Sequence, residues 1–175
     1  NFKGIFAAGM TPFKADNSTD EEGLRSNLHH WIDELNIDGL FVNGKQGEFF
    51  SMTLAERKRQ FEIVVEEVGE RCRTIMSCSD ENLDTVLELG HHAQNIGADW
   101  IIVHAPPLYF HNNVDAVLKE YYRYIAEQLD IGIAIWHQPD YSYIVEPEVC
   151  KDIAEITNIV AIKYSVDRDL SLIHI

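Results

Sequence analysis

Apolar residues along the chain form two kinds of pattern. Six short runs are apolar almost throughout and rich in β-branched or aromatic side chains, which is typical of strands buried on both faces. Between them lie longer segments in which apolar residues recur every three or four positions, the spacing of one helical face. The predicted strands are residues 5–10, 40–42, 74–78, 100–103, 131–136 and 159–162.

The five intervening segments predict five helices. Their apolar stripes cover residues 24–35, 54–68, 83–93, 114–129 and 149–156. Thr53 and Glu56 have the spacing of a capping box at the start of the second helix, and Gly69 is placed to end it. Pro147 suits the first turn of the fifth helix. Strands and helices therefore alternate strictly, beginning and ending on a strand.

Strict alternation predicts parallel strands joined by right-handed crossovers. Two α/β architectures have this connectivity, an open doubly wound sheet and a (β/α)₈ TIM barrel. No Gly-x-Gly-x-x-Gly motif follows the first strand, which disfavours a dinucleotide-binding sheet. A complete TIM barrel takes roughly 250 residues, whereas this chain has 175. Either the sheet is open, or the chain is a barrel that lacks two βα units.

The overall charge of the chain is strongly negative. Acidic residues outnumber basic ones by 29 to 14, which gives a net charge of −15 and disfavours nucleic acid and membranes as partners. The three cysteines are scattered without a Cys-x-x-Cys pair, as in proteins of reducing compartments. No apolar run approaches the roughly 18 residues of a membrane span, and the first residues show no secretion signal. These features favour a soluble cytoplasmic protein.

Chemistry in parallel α/β folds is concentrated at the carboxyl ends of the strands. Lys163 directly follows the sixth apolar run and is expected at such an end. Partial desolvation there favours the neutral amine, a nucleophile that condenses with a ketone to an iminium ion and so provides an electron sink. The alternative is a strand-end lysine that extends into solvent without a chemical role.

Two further strand ends carry candidate residues. Residues 44–48 after the second strand read Gly-Lys-Gln-Gly-Glu, a turn that could present backbone N–H groups to an anion. An ordinary βα turn is the alternative. Tyr109 after the fourth strand could donate or accept a proton, although a single tyrosine in such a loop is more often a packing residue.

Together these motifs resemble the dihydrodipicolinate synthase / N-acetylneuraminate lyase superfamily of class I, Schiff-base aldolases and lyases. The resemblance extends over nearly the whole chain with the same order and spacing. Its elements are Thr11-Pro12-Phe13, Gly44-x-x-Gly47-Glu48, Leu54-x-Glu56-Arg57, Pro107-x-Tyr109, Pro139 and the run Asn-Ile-Val-Ala-Ile-Lys at 158–163.

The resemblance implies a (β/α)₈ barrel followed by C-terminal helices, and a homotetramer or homodimer for the full-length protein. On this basis we predict a single TIM-barrel domain over residues 1–175, truncated after strand 6, with about six of the eight βα units. It makes Lys163 the expected Schiff-base residue. Tyr109 corresponds to a tyrosine that a neighbouring subunit contributes to a proton relay. No cofactor and no metal are implied. The expected cradle for the substrate carboxylate consists of four loop residues, Gly44, Lys45, Gln46 and Gly47.

The chain departs from the family pattern at several positions. The loop carries Lys-Gln where the family usually has two threonines. Trp136 stands in the place of the relay tyrosine, and His137 in that of the following asparagine. Because an indole cannot relay a proton through a hydroxyl, Tyr109 and His137 become the acid/base candidates. Trp136 and Tyr141, which replaces an arginine of the synthases, indicate an aromatic substrate site for a bulkier or more apolar keto acid, as in the hydratase-aldolases.

We therefore predict a lyase or aldolase that acts on a small molecule, pyruvate or another 2-keto acid, through a Schiff base at Lys163. One alternative is a metal-dependent TIM-barrel hydrolase, since His104 and His137 end neighbouring strands. The other is a catalytically inactive relative that binds keto acids, which the missing tyrosine and threonines favour. Residues 171–175 do not resemble the family's continuation, so we also expect a truncated chain whose open strand edges promote aggregation.

Overall fold

The computed structural model describes residues 3–106, 113–137 and 145–165. Six strands and five α-helices alternate along these residues, as predicted. The strands are β1 (Phe6–Ala8), β2 (Gly39–Val42), β3 (Arg73–Ser77), β4 (Trp100–His104), β5 (Gly132–His137) and β6 (Ile159–Tyr164). The helices are α1 (Glu21–His29), α2 (Leu54–Val68), α3 (Leu83–Asn95), α4 (Val114–Gln128) and α5 (Pro147–Ala154).

The sheet order distinguishes between the two architectures that the sequence left open. The strands neighbour one another in chain order, from β1 to β6. A doubly wound sheet reverses its strand order at a switch point, and this sheet does not. The pairs β1–β2, β2–β3 and β5–β6 are parallel. The α/β class is confirmed, and the order is that of the first six units of a TIM barrel.

Spatial contacts between residues group the chain into two compact units. Unit 1 comprises Asn1–Ser77 and Glu88–Ile101, and unit 2 comprises Cys78–Leu87 and Ile102–Ile175. Helix α3 and strand β4 each continue from one unit into the other. The single-domain organisation expected from the sequence stays a prediction.

In unit 1, helices α1 and α2 pack against each other, and α2 also contacts β3. The predicted capping box at the start of α2 is present, with Thr53 and Glu56 bonding each other's backbone N–H groups. The first helix is shorter than predicted, because residues 30–34 form a π-helical turn. Asn36, with a φ of 52°, follows this turn. The core side chains of unit 1 include Leu28, Leu40, Phe61, Val64 and Met76.

In unit 2, α4 and α5 pack together and α5 contacts β6. Tyr122 of α4 is fully buried, and its hydroxyl donates to the carbonyl oxygen of Val103 in β4 over 3.2 Å. Other core side chains of this unit are Leu118, Ile125, Ile133, Ile135 and Ile153. Within the described residues, no helix combines the length and apolar character that crossing a membrane requires.

Burial on both faces, predicted for all six strands, applies to some of them only. Every residue of β2 is buried, and so is β5 apart from its first residue. In β6, by contrast, Val160 is 46% exposed and Ile162 is 39% exposed. Among the described residues, the strands β1 and β6 come first and last in the sheet order, so each has a neighbouring strand on one side only there.

A first prediction concerns Asn158, which joins the end of α4 to the start of β6. Its side-chain amide donates to the carbonyl oxygens of Ala126 (3.0 Å) and Leu129 (2.8 Å). We expect Asn158→Ala to lower the free energy of unfolding by about 1–3 kcal/mol, because two carbonyl groups lose their donor. Urea denaturation measures the change. Asn95→Ala, at an exposed position of α3, is the control and should stay within about 0.5 kcal/mol of the parent; equal losses in the two variants would contradict the prediction.

Candidate active site

The pairing of β5 with β6 determines which side chains lie next to Lys163. The register shifts by one residue near the start of the pair, and Val160 is the extra residue of the resulting β-bulge. Beyond the bulge, Trp136 pairs with Lys163, and His137 pairs with Tyr164. Side chains of paired residues lie on the same face of a sheet, and successive pairs alternate between the faces. Lys163 therefore shares a face with Trp136, and His137 lies on the opposite face.

The amine of Lys163 lies against an aromatic ring. Its Nζ atom is 4.9 Å from the centre of the Trp136 ring, within the range of a cation–π interaction. The indole is only 3% exposed, whereas Lys163 is exposed. This exposure differs from the partial desolvation that the sequence led us to expect, because β6 has a neighbouring strand on one side only within the part of the chain that the structure describes.

His104, at the end of β4, borders the same indole. The centres of the His104 and Trp136 rings are 6.2 Å apart, and His104 is almost fully buried. Its backbone N–H donates to Ser79 Oγ over 3.1 Å, and its Nδ1 atom lies 3.1 Å from the carbonyl oxygen of Ala105. A proton on Nδ1 that is donated to this carbonyl leaves Nε2 as the acceptor of the ring. The sequence indicated His104 only as a possible metal ligand. Its contact with Trp136 was not predicted, because it depends on how the strands are arranged in the sheet.

The opposite face of the β5–β6 pair holds His137 and Tyr164. Their rings are stacked, with centres 4.1 Å apart and planes 16° from parallel. The Tyr164 hydroxyl donates to the carbonyl oxygen of Val145 over 2.9 Å. His137 has no exposed surface, and neither of its ring nitrogens has a hydrogen-bond partner among the described residues. Burial lowers the pKa of His137 below its ordinary value of 6.5.

This placement bears on the acid/base role predicted for His137. A side chain on the far face of the sheet cannot exchange a proton directly with a substrate held at Lys163. The role stays a prediction, and the geometry argues against it. The other acid/base candidate, Tyr109, and the predicted substrate contact Tyr141 lie outside the described residues.

The glycine-bracketed loop after β2 belongs to unit 1. It lies between two non-glycine residues in the left-handed region, Asn43 (φ 54°) and Glu48 (φ 52°). Inside it, the N–H of Gly47 donates to the Gly44 carbonyl (3.0 Å) and that of Glu48 to the Lys45 carbonyl (3.1 Å). These two N–H groups are therefore used within the turn.

Thr11 holds this loop in place from the end of β1. Its hydroxyl lies 2.6 Å from the carbonyl oxygen of Gly47 and 3.4 Å from Oε1 of Gln60. Position 47 also has little room for a side chain, because a Cβ atom there would come within 3.0 Å of the Gly9 carbonyl oxygen. The Thr-Pro-Phe motif marked Thr11 in the sequence, but nothing in the sequence identified Gln60.

Arg57 of α2 is a buried residue that contacts the start of the same loop. It is 3% exposed, and its guanidinium donates to the carbonyl oxygen of Ser77 at the end of β3 over 3.3 Å. The guanidinium carbon also lies 5.2 Å from the centre of the Phe49 ring. The backbone carbonyl of Arg57 accepts from the side-chain amide of Asn43 over 3.3 Å. These contacts tie α2 to the loop and to β3.

The rival hypothesis of a metal-dependent hydrolase requires a cluster of ligands. Over residues 3–106, 113–137 and 145–165, no group of three or more His, Cys, Asp or Glu side chains could hold a metal ion. His104 and His137, the two histidines on which this hypothesis rested, have the surroundings described above.

Comparison with known proteins identifies the family. Residues 1–174 match the model of the dihydrodipicolinate synthetase family. The chain belongs to this family. The resemblance read from the sequence motifs is thereby confirmed.

Individual family members show how far the likeness extends. The chain is 34% identical over 163 residues to a 4-hydroxy-tetrahydrodipicolinate synthase of Methanothrix thermoacetophila. This alignment covers 93% of this chain and 54% of that synthase. The chain is also 34% identical over 139 residues to an N-acetylneuraminate lyase of Histophilus somni, covering 79% of this chain and 47% of the relative. The crystal structure of YagE, a prophage protein of the dihydrodipicolinic acid synthase family from E. coli K12 in complex with pyruvate, superposes with a TM-score of 0.87 at 28% identity, over 95% of this chain and 55% of that one. The chain spans about half the length of these relatives.

A second prediction concerns the support of the family's Gly-x-x-Gly-Glu loop. We expect Thr11→Val to lower the free energy of unfolding by about 1 kcal/mol, because the Gly47 carbonyl loses its donor while the side-chain volume is kept. Thr11→Ser retains the hydroxyl and should recover most of this loss. Urea denaturation of both variants tests the idea, and an equal loss in Ser and Val would assign Thr11 to packing alone.

A third prediction follows from the buried imidazole of His137. In the unfolded chain this ring takes up a proton near pH 6.5, whereas burial holds its pKa lower in the folded protein. The unfolded state therefore binds more protons as the pH falls, and stability is lost between about pH 7 and the folded-state pKa, at up to about 1.4 kcal/mol per pH unit. His137→Phe keeps a ring against Tyr164 and should flatten this slope, as measured by urea unfolding from pH 5 to pH 8.

The control for this measurement is Asn95→Ala, at an exposed position of α3. This variant removes no titratable group and should leave the pH slope of stability unchanged. An unaltered slope in His137→Phe would show that His137 is not the titrating group.

Proposed function

We propose that this member of the dihydrodipicolinate synthetase family is a lyase or aldolase that acts on pyruvate or another 2-keto acid through a Schiff base at Lys163. The observation that carries the proposal is the position of Lys163 near the end of β6, as an exposed residue whose Nζ atom is 4.9 Å from the centre of the Trp136 ring. Relatives named synthase and lyase, and a related structure that contains pyruvate, support the same reaction class.

The proposed reaction begins with attack of the neutral Lys163 amine on the keto carbon. A carbinolamine forms and loses water, and the product is an iminium in which nitrogen carries the positive charge. This cation accepts the electron pair released when a bond to the neighbouring carbon breaks, or makes that carbon acidic for bond formation.

Substrate binding is proposed to use the loop after β2. The resemblance to the family assigns the carboxylate of the keto acid to Gly44, Lys45, Gln46 and Gly47, and the positive charge of Lys45 favours an anion there. The bonds that Thr11, Arg57 and Asn43 make around this short loop support the assignment.

The acceptor or leaving carbonyl compound is proposed to be more apolar than in the synthases. Trp136, in the place of the relay tyrosine, offers a ring face and no hydroxyl at the carbon skeleton of the substrate. Proton transfer is then assigned to Tyr109, which the resemblance marks as part of a relay between subunits. A relay between subunits requires a homo-oligomer, and we propose that this oligomer is cytoplasmic.

The fourth prediction tests the nucleophile. Incubation with pyruvate and borohydride should add a permanent mass to the peptide that contains Lys163, because borohydride reduces the iminium to a stable secondary amine. Lys163→Ala should abolish this adduct, and tandem mass spectrometry locates it.

Lys45→Ala is the matched control, since Lys45 also follows a strand. This variant should keep the adduct on Lys163 while requiring more pyruvate for half-maximal labelling. Labelling that persists in Lys163→Ala, or that maps to Lys45, rejects the assignment. An adduct without turnover of any aldehyde would favour the catalytically inactive relative.

A further inference from the structure

Trp136 is placed to act on the charge of the proposed intermediate. The bulge at Val160 pairs Trp136 with Lys163 across β5 and β6, so the indole and the amine lie side by side on one face. The Nζ atom is 4.9 Å from the ring centre. The indole is 3% exposed, and the His104 ring lies beside it with its centre 6.2 Å away.

The atom that carries the positive charge stays at this ring throughout the proposed reaction. Lys163 Nζ bonds to the keto carbon, and the carbonyl oxygen leaves as water that takes one proton from nitrogen and one from the solvent. The nitrogen keeps one proton and carries the positive charge of the iminium. In hydrolysis, water adds to the iminium carbon and releases one proton to the solvent, the C=N electron pair returns to nitrogen, and the charge on nitrogen disappears as the carbinolamine forms.

An aromatic face stabilises the cation and not the neutral carbinolamine. Tryptophan has the strongest such interaction of the aromatic side chains. We infer that Trp136 stabilises the iminium at Lys163 by a cation–π interaction and thereby slows its hydrolysis, an inference that rests on the proposed function. Trp136, which stands where the family has a proton-relay tyrosine, therefore lengthens the lifetime of the covalent intermediate and does not transfer a proton.

The experiment measures the lifetime of the iminium while the electron density of the ring is changed at nearly constant size. Tryptophans with one to four fluorine atoms are incorporated at position 136 of the protein, and fluorine withdraws density from the ring face. The protein is loaded with pyruvate, excess pyruvate is removed by rapid dilution, and aliquots are reduced with borohydride at increasing times. The adduct on the Lys163 peptide should decay faster with each added fluorine, by roughly 2- to 10-fold over the series.

If the role of Trp136 were purely structural, the iminium lifetime would not change with the number of fluorine atoms, because the fluorinated rings have nearly the same size and pack alike. Trp136→Leu removes the ring and should shorten the lifetime at least as much as the most fluorinated ring, and Trp136→Phe should recover part of it. The same fluorinated residues at Trp100, whose ring lies against Phe6, are the control and should leave the lifetime unchanged.

Two outcomes overturn the inference in distinguishable ways. An adduct on Lys163 whose lifetime is the same for all rings at position 136 rejects the cation–π role and leaves the proposed function standing. No adduct on Lys163 in the unsubstituted protein rejects the proposed function, and the role of Trp136 with it.

Discussion

The register between β5 and β6 fixes the surroundings of Lys163, because one extra residue at Val160 shifts every later pair. With an unbroken register from the pair Ile133–Ile159, the partner of Lys163 would be His137. With the bulge it is Trp136. A one-residue slip of this kind exchanges the neighbours of a side chain and, in a pleated strand, the face on which they lie. The chemistry that surrounds the lysine amine thus depends on a local irregularity in a strand of six residues.

The two residue pairs that end β5 and β6 lie on opposite faces of the sheet. On one face the amine of Lys163 lies against a buried indole, an arrangement that favours a cation at Nζ. On the other face a buried imidazole is stacked on Tyr164, and its surroundings favour the neutral ring. Each face stabilises a different charge state. The proposed iminium belongs to the first face, whereas the second contributes to stability at neutral pH.

The loop after β2 shows how the fold maintains a backbone that is locally unfavourable. Asn43 and Glu48 adopt left-handed conformations that cost free energy in non-glycine residues. Thr11 and Arg57 compensate by bonds from two different elements, one to the Gly47 carbonyl and one through the Arg57 carbonyl to Asn43. Strain that is fixed by its surroundings in this way is found at binding sites, where a preformed loop loses less entropy when a ligand arrives.

The sequence by itself determined the elements and the family. Hydrophobic periodicity and capping residues predict local structure, so all six strands, five helices and the capping box at Thr53 were readable, and so were the motifs that end at Lys163. The tertiary structure alone decided the face of His137, the exposure of Lys163 and the contact of Thr11 with Gly47. These depend on pairing register and on groups distant in the chain. A bulge adds one residue without disturbing the apolar run around it, so periodicity along β6 does not reveal which residue of β5 lies beside the lysine.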